Sequence, residues 1–283
     1  MMETVPAFGQ ETFRVQAATE ETIGEQVVSI LDGRTPAVRV RGFLSGSECA
    51  TAAAAFGLSQ ATVARSDGVA GRVLGAYHYR MTQSAYAEGV RAGQTDVDEV
   101  LAAAGDPLGR ILRAVERAVA PFGHGVRAAR WDEVEAARMR VSSWEGHGTY
   151  ALEPHEDVGQ LRDPGQRGFE AQQVADYTVV AVNVYPVVPR EGGALRVWNL
   201  LPDDKVRETL GIEHSGYPYP SEMLRDTASF DVELGTGDLI AMNGGMVHAV
   251  SAPVPDEDST GPARLSMNFF LGYINRNTIV YWV

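Results

Sequence analysis

The sequence has little of three things: cysteine, positive charge and long apolar runs. Its single cysteine, Cys49, cannot form an internal disulfide. Lys and Arg number 24 against 37 Asp and Glu, which gives a net charge of −13. A surface of this charge repels phosphate backbones, so a nucleic-acid substrate is not expected. No segment approaches the ~20 consecutive apolar residues of a membrane span, so no membrane partner is expected either.

The N-terminal segment MMETVPAFGQETF lacks the basic start and the apolar core of a secretory signal. Together with the single cysteine, this favours a cytoplasmic protein. Apolar residues make up 45% of the 283 residues, which is enough for a large core. Because no repeat or low-complexity linker divides the chain, we predict one domain over 1–283. The sequence leaves its oligomeric state open.

The first 130 residues predict an N-terminal strand over 37–40 and helices that brace the outside of a sheet. Ser45 and Glu48 have the spacing of a capping box ahead of an Ala-rich helix. Further helices are predicted at 19–31 and at 96–120, the latter broken near 105–107.

Residues 131–283 change from a helical period to a period of two. Many short strands separated by Gly and Pro predict a mainly β jelly-roll core of two sheets with flanking α-helices. Residues 201–229 interrupt the strands as an insertion, and this segment and 158–176 are candidate lids. The strands are predicted at 138–144, 150–155, 177–188, 195–198, 230–234, 238–242, 246–250 and 264–272.

The motif with the most chemical content is His155-Glu156-Asp157, which is followed much later in the chain by a lone His248. In an extended chain, the side chains of His155 and Asp157 lie on the same side. Two imidazoles and one carboxylate in this order can bind one face of Fe(II) and leave the opposite face open. The alternatives are an exposed loop for His155–Asp157 and a hydrogen-bonded core histidine for His248. Glu156 points away, so it is expected to face solvent or to support a ligand.

Arg264 and Ser266 share one face of the last long strand. An inward guanidinium requires an anionic partner, because an unpaired buried charge is costly. A dicarboxylate co-substrate such as 2-oxoglutarate would form a bidentate pair with it. The alternative partner is the acidic loop Asp256–Asp258, which would make a structural salt bridge.

Asn183 and Tyr185 share a face of the otherwise apolar run 177–188. They are candidates for binding the co-substrate, for orienting a metal ligand, or for satisfied polar groups in the core. The candidates for the wall of a substrate pocket are His78, His147 and Trp198.

Taken together, these motifs resemble the Fe(II)- and 2-oxoglutarate-dependent oxygenases, in particular the prolyl-hydroxylase-like members. The segments that carry the resemblance are VRGFLSGSECA, WEGHGTYALEPHED, VAVNVYPVVPREGGALRVWN, GDLIAMNGGMVHAV and RLSMNFFLGY. The resemblance implies a cupin-like double-stranded β-helix fold and an enzyme that uses O2. It also implies that the iron is bound by His155, Asp157 and His248 and the 2-oxoglutarate by Arg264 and Ser266.

The closing segment NRNTIVYWV is similar to stand-alone members that act on amino-acid derivatives and alkaloids, some of which are halogenases. In halogenases Gly or Ala replaces the metal carboxylate, whereas this chain keeps Asp157. The resemblance therefore implies hydroxylation of a small molecule, such as an amino-acid derivative or specialised metabolite, with release of succinate and CO2. Desaturation, cyclisation, halogenase-related chemistry and a non-catalytic cupin-like metal protein stay open, while the net charge disfavours a nucleic-acid demethylase.

Overall fold

The computed structural model describes residues 6–65, 69–145, 148–254 and 261–283. Its α-helices are α1 (Ile23–Leu31), α2 (Gly46–Leu58), α3 (Gln83–Ala103), α4 (Pro107–Val119), α5 (Asp204–Leu210) and α6 (Ser221–Leu224). Its strands are β1 (Val15–Ala18), β2 (Ala37–Val40), β3 (Val63–Ala64), β4 (Arg72–Leu74), β5 (Gly125–Ala128), β6 (Arg130–Trp131), β7 (Val134–Glu135), β8 (Arg140–Trp144), β9 (Tyr150–His155), β10 (Val180–Val187), β11 (Leu195–Trp198), β12 (Ser229–Val232), β13 (Leu239–Asn243), β14 (His248–Ser251), β15 (Arg264–Asn275) and β16 (Thr278–Trp282). Short 3-10 helices lie at Ala120–Phe122, Gly159–Arg162, Pro164–Gln166 and Glu170–Asp176.

Two sheets face each other across a cavity, as the alternating pattern predicts. Over the described ranges, the larger sheet has ten strands, and its main path runs β1-β2-β13-β10-β15-β8-β4-β3. The smaller sheet has the order β12-β11-β14-β9. Strands from both sheets contribute side chains to the cavity, among them Asn183 and Arg264 from the larger and His155 and His248 from the smaller. This arrangement is the double-stranded β-helix, so the predicted fold class is confirmed.

Helices α1 and α4 pack against each other behind the larger sheet. A Cβ at Gly24 in α1 would lie 2.0 Å from the backbone oxygen of Ala114 in α4, so glycine permits a close approach of the two helices. The apolar stripe of α4, including Ile111 and Val115, is fully buried at this contact. The capping box is present, since Ser45 accepts from the backbone N–H of Glu48 and Glu48 accepts from that of Ser45.

Helix α3 begins 13 residues before the predicted start at residue 96, because its polar sequence gives only a faint helical stripe. Thr82 nevertheless caps it by accepting a hydrogen bond from the backbone N–H of Ala85. The break before α4 is confirmed, with Asp106 as N-cap and Pro107 in the first turn. No helix of the described residues is long and apolar enough to cross a bilayer.

Residues 201–229 form two short helices, α5 and α6, joined by a loop, as expected for an insertion. The other candidate lid, 158–176, is instead wedged into the core. Phe169 stacks on Trp131 at 5.2 Å between ring centroids, and Val174 is fully buried. The segment 158–176 is therefore part of the packed structure, and the insertion is left as the candidate lid.

Candidate metal and co-substrate site

The two predicted histidine ligands are cross-strand neighbours. His155 ends β9, His248 begins β14, and the antiparallel register places them directly opposite each other. Their ring centroids are 4.1 Å apart. The Nδ1 of His155 is 2.8 Å from the backbone oxygen of Glu153, and the Nδ1 of His248 is 2.9 Å from that of Met246. Because each Nδ1–H donates to a carbonyl, each Nε2 carries the lone pair that a metal needs.

Asp157 is held beside the histidines by the turn between β13 and β14. Its backbone N–H donates to the backbone oxygen of Gly244 at 2.8 Å. A Cβ at Gly244 would lie 2.6 Å from Oδ2 of Asp157, so only glycine leaves room for this carboxylate. Oδ2 is 3.6 Å from Nε2 of His248. One ligand atom from each of His155, Asp157 and His248 lies within 4.8 Å of the others.

The electrostatics of the three side chains fit a divalent cation. Burial raises the pKa of Asp157 well above its ordinary value, and the neighbouring Glu156 adds to the rise. Burial lowers the pKa of His248 to about 4 and that of His155 well below its ordinary value, so both rings are neutral ligands near pH 7. Among the described residues, Oδ2 of Asp157 has no hydrogen-bond partner. A bound cation would compensate this buried oxygen, and the donor set of two imidazoles and one carboxylate suits Fe(II).

Glu156, between the two proposed ligands, is buried, which excludes the first of its two expected roles, facing solvent, and leaves the second, supporting a ligand. Its side chain is fully buried and forms an ion pair with Arg207 of α5 at 2.9 Å. It also accepts hydrogen bonds from the backbone N–H groups of Val158 and Gly159. Glu156 therefore fastens the loop that carries Asp157 to the insertion.

Replacing Arg207 by methionine should destabilise the protein by about 3–5 kcal/mol, because it leaves the buried Glu156 carboxylate uncompensated. Urea unfolding of the metal-free protein measures the change. The double variant Glu156→Gln with Arg207→Met should recover most of the loss, since neither partner is then charged. Lys205→Met, an exposed charge on the same helix, is the matched control and should change stability by less than ~0.5 kcal/mol.

Arg264 lies at the start of β15, 2% exposed, with its guanidinium 4.7 Å from the ring centre of Trp144 and 5.0 Å from that of Tyr185. Its Nε and Nη1 have no hydrogen-bond partner among the described residues. Next to it, Ser266 accepts a hydrogen bond of 2.7 Å from Nε1 of Trp144, which leaves its own hydroxyl hydrogen available. These unsatisfied donors fit the distal carboxylate of a dicarboxylate. The alternative partner, Asp256–Asp258, lies outside the described residues.

Asn183 and Tyr185 occupy the same face of β10, as the alternation predicts, and both line the cavity. Asn183 is paired across the strands with Asn268 of β15, and the ring of Tyr185 lies beside Arg264. The cavity has a volume of about 350 Å³, and Tyr77, Tyr79 and Tyr217 are also among its lining residues. Tyr185 therefore lies at the Arg264 end, and Asn183 lies closer to the middle of the cavity.

Two of the three residues predicted for the pocket wall lie elsewhere. His78 is fully buried behind the cavity, where its Nδ1 is 2.8 Å from Oε1 of Gln166 and its ring packs on Phe169. Trp198 points to the outer face of β11, because alternation turns Leu195 inward, and it packs beneath the insertion with residues such as Leu200 and Ile212. Both predictions are wrong. The third, His147, lies outside the described residues.

Tyr77, Gln160 and Arg140 are among the lining residues that were not predicted. Tyr77 donates a hydrogen bond to Oε1 of Gln160, and Nε2 of Gln160 donates to Oδ1 of Asp157 at 3.4 Å. Arg140 of β8 also lines the cavity. Its signal was available, since Arg140 shares a strand face with Ser142 and Trp144, and an arginine in a buried strand calls for the reasoning applied to Arg264.

Comparison with known proteins finds a curated relative by sequence and solved structures of similar fold. No protein-family model matches the chain. Over 154 residues the chain is 39% identical to an L-isoleucine 3(1)-dioxygenase from Pantoea ananatis, covering 54% of this chain and 49% of that protein. The chain thus spans about half the length of this curated relative.

Two solved structures share the fold. One is an N-substituted L-amino acid dioxygenase from Burkholderia ambifaria in complex with α-ketoglutarate, with a TM-score of 0.52, 14% identity, and coverage of 92% of this chain and 91% of that one. The other is the non-haem, α-ketoglutarate-dependent epimerase SnoN of nogalamycin biosynthesis, with a TM-score of 0.52, 17% identity, and coverage of 89% and 86%. The comparisons confirm the resemblance to the Fe(II)- and 2-oxoglutarate-dependent oxygenases.

Proposed function

We propose that this chain is an Fe(II)- and 2-oxoglutarate-dependent dioxygenase that hydroxylates an unactivated C–H bond of an amino acid or amino-acid derivative. The observation that carries the proposal is the convergence of His155, Asp157 and His248 with the buried Arg264 in one cavity. The relative named for L-isoleucine supports a free aliphatic amino acid as the first substrate to test. We further propose a single oxygenase domain over 1–283 that acts on a small molecule in the cytoplasm.

In this reaction, bound iron supplies the redox chemistry by which one atom of O2 enters succinate and the other enters the substrate, with release of CO2. The residues of the chain bind and orient the reactants. The backbone carbonyls of Glu153 and Met246 hold the two imidazoles with Nε2 toward the metal position. Arg264 and Ser266 would fix 2-oxoglutarate by its distal carboxylate. The two sheets keep bulk water from the reacting atoms.

The proposal predicts that purified protein supplied with Fe(II), 2-oxoglutarate and O2 converts an amino acid to a product heavier by one oxygen atom. One succinate should form for each product molecule, and heavy-isotope O2 should label both. Mass spectrometry measures the products over a panel of L-amino acids and N-acyl amino acids. A product lighter by two hydrogens would indicate desaturation or cyclisation, and a chlorinated product would indicate halogenation. No substrate-dependent succinate over the whole panel would contradict the proposal and favour a non-catalytic metal protein.

A further inference from the structure

A second guanidinium, that of Arg140, lies in the wall of the same cavity. Arg140 is 8% exposed, and its guanidinium lies 4.1 Å from the ring centre of Tyr77. Its Nε donates to Oδ1 of Asn268 at 3.4 Å. Arg264 is instead bordered by Trp144 and Tyr185. Arg140 and Arg264 thus lie in two separate aromatic environments of one cavity wall, which Arg65 and Arg80 also line.

Strand register places the two arginines at different levels of the cavity. Arg264 is opposite Trp144 and Asn268 is opposite Arg140, so the two levels differ by four residues along β8 and β15. At the rise of a β-strand this separation is about 13 Å along the backbone. Asn183 is in turn opposite Asn268, so Arg140, Asn268 and Asn183 form a polar row across three adjacent strands. All three line the cavity.

Hydrogen bonds connect the surroundings of Arg140 to the Asp157 side of the metal position. Tyr77, which lies under the Arg140 guanidinium, donates to Gln160, and Gln160 donates to Asp157. Arg264 is bordered by Gly193, where a Cβ would lie 3.3 Å from Cδ of the arginine, in the turn before β11. A five-carbon dicarboxylate that reaches from Arg264 to the metal position would thus lie at the Arg264 end of the cavity, away from Arg140.

Charge at the metal position is balanced without Arg140. A divalent ion, the Asp157 carboxylate, a dicarboxylate and the Arg264 guanidinium together carry no net charge. The one other carboxylate that borders the cavity in the described residues, Glu156, is paired with Arg207 at 2.9 Å. Arg140 therefore adds positive charge to the wall of the cavity, as do Arg65 and Arg80. A carboxylate is the group that a guanidinium recognises with the best geometry.

We infer that Arg140 binds the carboxylate of an amino-acid substrate, while Tyr77 and Asn268 hold its guanidinium in place. The inference rests on the proposed function and narrows it to substrates with a free carboxylate. Arg264 and Arg140 then separate two carboxylates, one of the co-substrate and one of the substrate. The substrate carboxylate lies near Asp157, so its side chain is presented to the metal from that side.

The test compares each acid with its carboxamide, using L-isoleucine, L-leucine and N-acetyl-L-leucine. Binding is measured by calorimetry without O2, on protein loaded with Co(II) and 2-oxoglutarate. The wild type should bind at least one acid ~30-fold or more tighter than its carboxamide, because a charge-assisted pair is lost in the amide. Arg140→Met should remove this preference by weakening the acid alone. Arg140→Lys should restore part of it, because lysine keeps the charge but not the planar fork.

Affinity for 2-oxoglutarate should be unchanged in Arg140→Met, which also shows that the variant is folded. The inference is overturned if Arg140→Met keeps the wild-type preference or if the wild type prefers no acid. It is also overturned if Arg65→Met, at another arginine of the cavity wall, removes the preference while Arg140→Met does not. Failure of the proposed function looks different, because the wild type would then form no succinate with any substrate. If this inference alone fails, the wild type still turns over its substrate, and the acid and its carboxamide react equally well.

Discussion

Replacing His248 by alanine should lower the affinity for Fe(II) by more than ~100-fold and bring turnover below detection. Loss of a hydrogen-bond partner of a metal ligand already costs about 10–100-fold in affinity, and loss of the ligand itself costs more. Asp157→Ala should have the same effect, because Oδ2 of Asp157 lies 3.6 Å from Nε2 of His248 at the metal position. Metal content after dialysis and succinate formation measure the two losses.

The matched control is His214→Ala, at an exposed histidine of the insertion, which should keep full metal binding.

Stability of the metal-free protein separates a ligand from a structural residue. Burial raises the pKa of Asp157, so its ionised form disfavours the folded state above about pH 4 and this penalty grows as pH rises. Metal-free Asp157→Ala should therefore unfold at no lower urea concentration than metal-free wild type at pH 7. Wild-type iron affinity in His248→Ala would refute the metal site.

Replacing Arg264 by alanine should raise the concentration of 2-oxoglutarate required for half-maximal turnover by about 30- to 1000-fold, equal to roughly 2–4 kcal/mol for a charge-assisted bidentate pair. Arg264 is 2% exposed, and its Nε and Nη1 have no hydrogen-bond partner among the described residues, so both donors are available to the co-substrate. Arg264→Lys should recover only part, since lysine lacks the planar fork. Titration of 2-oxoglutarate at saturating Fe(II) measures the effect.

Arg196→Ala is the control for loss of an arginine from a strand of the other sheet. Arg196 forms a half-exposed pair with Asp231 at 2.6 Å, and such pairs contribute little to stability. The requirement for 2-oxoglutarate should therefore be the same as in the wild type. An unchanged requirement in Arg264→Ala would instead make Arg264 structural and assign the co-substrate carboxylate to another cation.

The clustering of the proposed metal and co-substrate residues could be predicted because each is encoded by a short segment. Spacing of two residues puts His155 and Asp157 on one side, and alternation puts Arg264 and Ser266 on one face. The register that places His155 opposite His248 joins two distant segments of the chain. The glycines in the turn after β13 and the β-branched runs nevertheless limit the ways in which these strands can pair. The resemblance to oxygenases supplied the assembly that local patterns lack.

The failures have equally specific causes. Burial of Glu156 depends on Arg207, an arginine of the insertion whose position the local pattern does not report. Trp198 was predicted to line the pocket, although alternation from Leu195 turns it outward. Tyr77 and Tyr79 line the cavity, whereas the ring of His78 between them points away from it.

The place of β9 in the smaller sheet has a consequence for how the protein behaves without metal. β9 lies at the end of the order β12-β11-β14-β9 and pairs with β14 alone in the described residues. An unfastened edge strand offers its backbone groups to other chains and promotes self-association. A metal held between His155 on β9 and His248 on β14 would cross-link the edge strand β9 to β14. Bound iron would then limit aggregation of the chain as well as support its oxidation chemistry. Removing the iron with a chelator would promote aggregation and abolish activity.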